Sequence, residues 1–190
     1  MTVSLLRSVI CSLLVATLSS AAFGQRHRDP LTQPEIDQIR DASWEPRQRL
    51  KLYVDFARAR LVKLEQMRSD PKIKDRPKQT HDMLDDFVLL YDELNDNVDT
   101  YVDRKDDIRK PLRIVVEADN EFQAKLRALK DAADVPPTEA SQYEFVLTNA
   151  LEVVDGSVEE HKKLLADQEE AAKHKKLNTN ANAKNGGKPE

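Results

Sequence analysis

Apolar residues recur along most of the chain at spacings of three and four positions, which is the spacing of one face of an α-helix. The longest unbroken series predicts a third helix and comprises Leu84, Phe87, Tyr91, Leu94, Val98 and Tyr101. A second helix is predicted by Leu50, Val54, Ala57, Leu61 and Leu64. A fourth is predicted by Ile108, Leu112, Val115, Phe122, Leu126 and Leu129. A fifth is predicted by Tyr143, Leu147, Ala150, Val154 and Leu164.

Residues that commonly begin a helix predict a short first helix. Thr32 can cap its first free amides, Pro34 suits its first turn and Glu35 completes a capping box. Trp44 lies where this helix gives way to the second, and we expect it to anchor the packing of that corner.

Prolines mark the later boundaries. Pro111 either lies in the first turn of a new fourth helix or kinks one long helix. The charged residues just before it favour a new helix. Thr138 follows two prolines and is predicted to cap the fifth helix, which should reach about Ala172.

These segments predict an all-α fold, an antiparallel bundle of about four main helices plus a short N-terminal helix. The whole chain is 34% charged and has only 4 glycines, a composition typical of helical bundles. We expect a flexible segment at residues 25–31, one bundle domain at 32–172, and a disordered tail rich in Lys, Asn and Gly at 173–190.

Residues 1–24 are predicted to be a cleavable secretory signal peptide. Arg7 precedes an apolar run at residues 8–18, and small residues follow. That run of about 11 residues is too short to span a bilayer, which takes roughly 20. Cleavage is expected after Gly24 or after Ala22. The alternative is an uncleaved anchor.

Cys11 is the single cysteine and lies inside the apolar run. Ile10 precedes it where a lipoprotein signal would place a small residue, so lipidation is the lesser alternative. The mature chain is therefore expected to lack disulfides and to depend on its apolar core, which a chain of about 165 residues can supply.

Charge is segregated by helix. Residues 47–68 carry seven basic and two acidic side chains, whereas residues 82–107 carry ten acidic and two basic ones. The fourth helix leans basic and the fifth is acidic. If consecutive helices are neighbours, opposite charges face each other and fix the helix order. The functional alternative is an acidic face, with Asp92, Asp96 and Asp99 as candidates, that recruits a cationic partner.

Three polar residues fall in the apolar stripes or beside them: Asp119, His161 and Tyr91. Such residues usually hydrogen-bond and fix helix pairing, although they can also serve as catalytic acids or bases. His81 and Asp85 form a one-turn pair that could touch a metal, but a solvated helix start explains them equally well. No catalytic, cofactor or metal-binding motif is evident, and we expect none of the three.

The segment Leu-Thr-Gln-Pro-Glu at residues 31–35 resembles the Leu-Thr-x-x-Gln motif of the Spy/CpxP family of periplasmic helical chaperones. It ends in Glu, and the family's second copy is absent, because Leu147 and Thr148 are followed by Asn-Ala-Leu. The resemblance covers five residues, and we do not assign the chain to that family.

The sequence therefore predicts an exported, non-enzymatic helical interaction module, periplasmic or extracellular. The expected partner is a protein, for which a cationic protein is one candidate and a second copy of the chain is another. Nucleic-acid binding and stable membrane insertion after signal cleavage are not expected. The alternatives are a chaperone-like or stress-related envelope factor and, less favoured, a metal-binding bundle or enzyme.

Overall fold

A computed structural model describes residues 29–132 and 135–185. These residues form six α-helices and no strand: α1 (Gln33–Asp41), α2 (Pro46–Ser69), α3 (Arg76–Asp103), α4 (Arg109–Lys130), α5 (Pro137–Ala140) and α6 (Glu144–Asn185). The predicted all-α bundle is confirmed. The predicted signal peptide lies outside the described residues.

Proline residues begin several of the helices. Pro34, Pro46, Pro77 and Pro137 each occupy the first or second helical position, where a missing N–H costs nothing and the fixed φ suits the turn. Pro111 also lies in the first turn of a helix, because α3 ends at Asp103 and α4 begins at Arg109. The prediction of a new helix at Pro111 is confirmed.

The four long helices form a bundle in which α2 packs on α3 and α4, and α6 packs on the same two helices. Side-chain contacts between the helices show their relative directions. Arg49, early in α2, bonds to Asn97, late in α3, so these two helices are antiparallel. Arg113, early in α4, likewise pairs with Glu169, late in α6. The α2–α4 pair is parallel, because Arg58 contacts Glu121 and Glu65 contacts Lys125. The α3–α6 pair is also parallel, because Asn95 bonds to Ser157 and Ile108, just after α3, bonds to Gln168.

This arrangement overturns the expectation that consecutive helices are neighbours throughout. The acidic α3 packs on the acidic α6, and α3 and α4 face each other across the core. The aromatic rings make this cross-core contact: Phe87 of α3 lies edge-on to Phe122 of α4, with ring centroids 5.4 Å apart. Aromatic packing at the centre therefore outweighs the weak attraction between exposed opposite charges.

The short helix α1 is held against α2 by an ion pair. The Arg60 guanidinium donates to both carboxylate oxygens of Glu35, at 2.8 and 2.7 Å. Glu35 also accepts from the Thr32 amide at 2.7 Å, as a capping box requires. Partial burial raises the pKa of Glu35, but the hydrogen bonds from Arg60 and Thr32 outweigh that effect and lower it to about 2.

Three details of the sequence prediction are wrong. Trp44 does not anchor the α1–α2 corner: it is 91% exposed, and the small Ala42 fills the buried position instead. Thr138 does not cap the last helix, because α5 begins at Pro137 and a turn separates it from α6. Finally, α6 does not end near Ala172.

The part of the predicted disordered tail that the structure describes is helical, since α6 continues to Asn185. Residues 173–179 of this extension are all exposed. The Lys and Leu residues at its start have good intrinsic helix propensity, whereas the Asn and Thr residues from Asn178 onward do not, so propensity explains only the first part of the extension.

The core of the bundle contains Leu94, which is fully buried in α3. We expect Leu94→Ala to lower the free energy of unfolding by roughly 2–5 kcal/mol, because it removes buried methyl groups and leaves a cavity. Phe145→Ala is the exposed control, since Phe145 is 87% exposed. Urea unfolding followed by circular dichroism measures both. A loss below about 0.5 kcal/mol for Leu94→Ala would contradict this packing.

Candidate functional site

The three polar residues singled out in the sequence meet in the centre of the bundle. The Tyr91 hydroxyl of α3 donates to Oδ1 of Asp119 in α4, at 2.7 Å. Nδ1 of His161 in α6 lies 2.8 Å from Oδ2 of the same carboxylate. Tyr91 and Asp119 have no exposed surface, and His161 is 4% exposed. We call these three residues the buried triad.

The helical stripes explain how the buried triad is assembled. Asp119 lies between Val115 and Phe122 on the buried face of α4, and His161 continues the buried face of α6. An isolated carboxylate at such a depth is strongly unfavourable. An ionised Asp119 can only accept hydrogen bonds, so with Asp119 in that form both neighbours donate to it and His161 carries a proton on Nδ1.

The environment favours the neutral form of the tyrosine. Burial raises the pKa of the Tyr91 hydroxyl above its ordinary value, and the adjacent Asp119 carboxylate raises it further. Tyr91 therefore stays protonated and keeps its donor role. The buried triad thus works as a three-helix clamp that joins α3, α4 and α6.

A His–Asp–Tyr group can also supply acid–base chemistry, but this one is packed into the core. The surface grooves of the described residues are lined by other side chains. A substrate would have to reach a histidine that is 4% exposed. Within the described residues, moreover, no group of three or more His, Cys, Asp and Glu side chains could hold a metal ion.

A second polar bridge joins α3 to α6. The Asn95 side-chain amide donates to the Ser157 hydroxyl at 3.0 Å, and that hydroxyl donates to the Val153 carbonyl. The Asn95 amide oxygen is buried and makes no hydrogen bond among the described residues. Asn95 is not among the polar residues predicted from the sequence to be buried, although its position one turn after Tyr91 was the available signal.

The candidate acidic residues lie on one exposed face of α3. Asp92, Asp96 and Asp99 follow one another at one-turn spacing, and Asp103 continues the series. Glu160 of α6 lies near enough to Asp99 to influence its titration. We call these five residues the acidic ridge. They include all three predicted interaction residues.

The electrostatics of the acidic ridge are unfavourable. Partial desolvation, together with the charges of Asp96 and Glu93, raises the pKa of Asp92. Partial desolvation and the charges of Glu160, Asp103 and Asp96 raise the pKa of Asp99. Asp92, Asp96 and Asp99 form no ion pair within the described part of the chain.

The ion pairs between long helices lie elsewhere. Four of them join α2 to α4 or α4 to α6: Arg58–Glu121, Lys125–Glu65, Arg113–Glu169 and Arg127–Asp155. The bundle therefore uses opposite charges at two of its seams and leaves the acidic ridge uncompensated.

The other sequence candidates do not form sites. His81 lies 3.8 Å from Asp82, and its side chain is 47% exposed at the start of α3, which fits a solvated helix end. The large exposed apolar residues of the described chain are Trp44, Phe145 and Leu177. They belong to the α1–α2 corner, the start of α6 and its end, and do not form one apolar face.

A double-mutant cycle tests the clamp. Asp119→Ala leaves the buried donors of Tyr91 and His161 without an acceptor, and we expect it to cost roughly 3–5 kcal/mol of unfolding free energy. Tyr91→Phe should cost about 1–3 kcal/mol. The double variant should cost less than the sum by about 0.5–3 kcal/mol, because the two residues share one interaction. Additive losses, measured by urea unfolding, would show that the two side chains act independently.

None of the helices among the described residues is both long and apolar enough to cross a membrane.

Comparisons with protein-family models, with curated proteins and with solved structures found no match to this chain.

Proposed function

We propose that this protein is an exported, non-enzymatic interaction module that binds a cationic protein partner through the acidic ridge. The observation that carries the proposal is the ridge itself: exposed carboxylates on two parallel helices, without ion-pair partners in the described structure. If the segregation of charge served only to fix the order of the helices, these acidic residues would pack against basic residues. They lie beside another acidic helix instead.

Binding of a cationic surface relieves the repulsion within the ridge. The raised pKa values of Asp92 and Asp99 reflect that repulsion together with desolvation. A positive partner offers each carboxylate the opposite charge that the fold does not provide. It is also steered toward the ridge over roughly a Debye length, about 8 Å at physiological salt.

Export is the second part of the proposal and rests on the leader-like residues 1–24. We expect intact-mass analysis of the protein recovered outside the cytoplasm to show a chain that begins at Gln25 or Phe23. Loss of the leader also removes Cys11, so the mature chain should not react with a thiol reagent. A mature species that retains Cys11 would contradict export by cleavage.

Neutralising the ridge tests the binding function. The variant Asp92→Asn/Asp96→Asn/Asp99→Asn keeps the size of each side chain and removes three repelling charges. We expect its melting temperature to equal or exceed that of the wild type. It should lose a partner that the wild type captures from an envelope extract, and wild-type capture should fall steeply as salt is raised.

A matched control carries the same change of charge away from the ridge. Asp41→Asn/Asp131→Asn/Glu144→Gln alters three exposed acidic residues that lie outside the acidic ridge. We expect this control to capture the same partner as the wild type. Equal capture by all three proteins would contradict the proposal. Unfolding of the ridge variant alone would show that the acidic residues serve the fold instead.

A further inference from the structure

The C-terminal part of α6 extends past the bundle as a basic helix. We call residues 173–185 the spur. It contains four lysines and one histidine, and no acidic residue: Lys173, His174, Lys175, Lys176 and Lys184. Residues 173–179 are all exposed, including Leu177, which is 64% exposed. The side chains of residues 173–179 are thus not covered by the rest of the described chain.

The spur and the acidic ridge are complementary in charge and in length. The spur has 13 residues, which span about 20 Å at the helical rise of 1.5 Å per residue. The part of the ridge between Asp92 and Asp103 spans about 18 Å by the same rise. The acidic ridge has exposed carboxylates without ion-pair partners in the described structure, and Lys173, Lys175 and Lys176 of the spur are exposed.

The positions of the acidic ridge and the spur along α6 also allow the spur of one copy to reach the ridge of another. Asn95 of α3 bonds to Ser157, which puts the ridge beside the middle of α6. Gln168 accepts from the Ile108 amide at the end of the bundle, and the spur begins a few residues later. Consider two copies related by a twofold axis that passes near Glu169 and is perpendicular to α6. In that arrangement the spur of each copy lies antiparallel along the acidic ridge of the other.

We propose that the cationic partner of the acidic ridge is the spur of a second copy, so that the protein forms a closed twofold dimer. This inference rests on the proposed function and names its partner. Reciprocal docking satisfies both charged surfaces at once and closes the assembly, because each copy has one spur and one ridge. It also covers Leu177, a large apolar side chain that the bundle leaves exposed.

The charges of the two surfaces can be exchanged to test the dimer. Lys173→Glu/Lys175→Glu/Lys176→Glu makes the spur acidic, and Asp92→Lys/Asp96→Lys/Asp99→Lys makes the ridge basic. Either variant alone has two surfaces of the same sign and should be monomeric. An equimolar mixture restores opposite charges at both contacts, so it should form a heterodimer.

Sedimentation and native mass spectrometry measure these states, with circular dichroism confirming that each variant is folded. The wild type should dimerise with a dissociation constant that rises about tenfold or more between low and high salt. The control Lys63→Glu/Lys72→Glu/Lys74→Glu changes the charge equally on exposed residues elsewhere and should dimerise like the wild type.

The dimer proposal is overturned if the wild type stays monomeric at high concentration and low salt, or if the mixture of variants fails to associate. Binding of the spur to anionic vesicles by a monomeric wild type would also overturn it, since the spur would then serve a membrane surface. A monomer that still captures an extract protein through the ridge would overturn the dimer alone. Failure of the acidic ridge to bind either a second copy or an extract protein would overturn the proposed function itself.

Discussion

The arrangement of the bundle depends on one buried carboxylate. Asp119 has no exposed surface, and its two oxygens bind Tyr91 of α3 and His161 of α6. Burying this charge is tolerable only while both donors are in place. The requirement links three of the four long helices and sets their register, as a single polar residue does in a coiled-coil seam.

The clamp explains why two acidic helices lie side by side. Attraction between exposed charges contributes only a fraction of a kcal/mol per pair, whereas an unpartnered buried charge costs several. The buried triad and the aromatic cluster of Phe87, Tyr91 and Phe122 therefore decide which helices are neighbours. Repulsion along the acidic ridge is the consequence, and this is the repulsion that the proposed cationic partner would relieve.

Helix periodicity made much of this structure predictable. The stripes located the four long helices, and the proline positions located most of their starts. Asp119 and His161 could be singled out because each interrupts an apolar stripe. Their meeting point was not predictable, since periodicity identifies the buried face of a helix but not the helix that covers it. The helical extension at residues 173–185 was missed because it has no apolar stripe and its second half is rich in Asn, a poor helix former.

The adjacency of α3 and α6 is the central claim, and spin-label distances test it directly. Labels on Asp96→Cys and Glu159→Cys should give a short, narrow distance distribution, because packed helix axes lie about 8–10 Å apart. Labels on Lys63→Cys and Glu159→Cys should give a longer one, since α2 and α6 lie diagonally opposite. The mature chain is expected to lack other cysteines that could take a label. An α3–α6 distance as long as the α2–α6 distance would contradict the account.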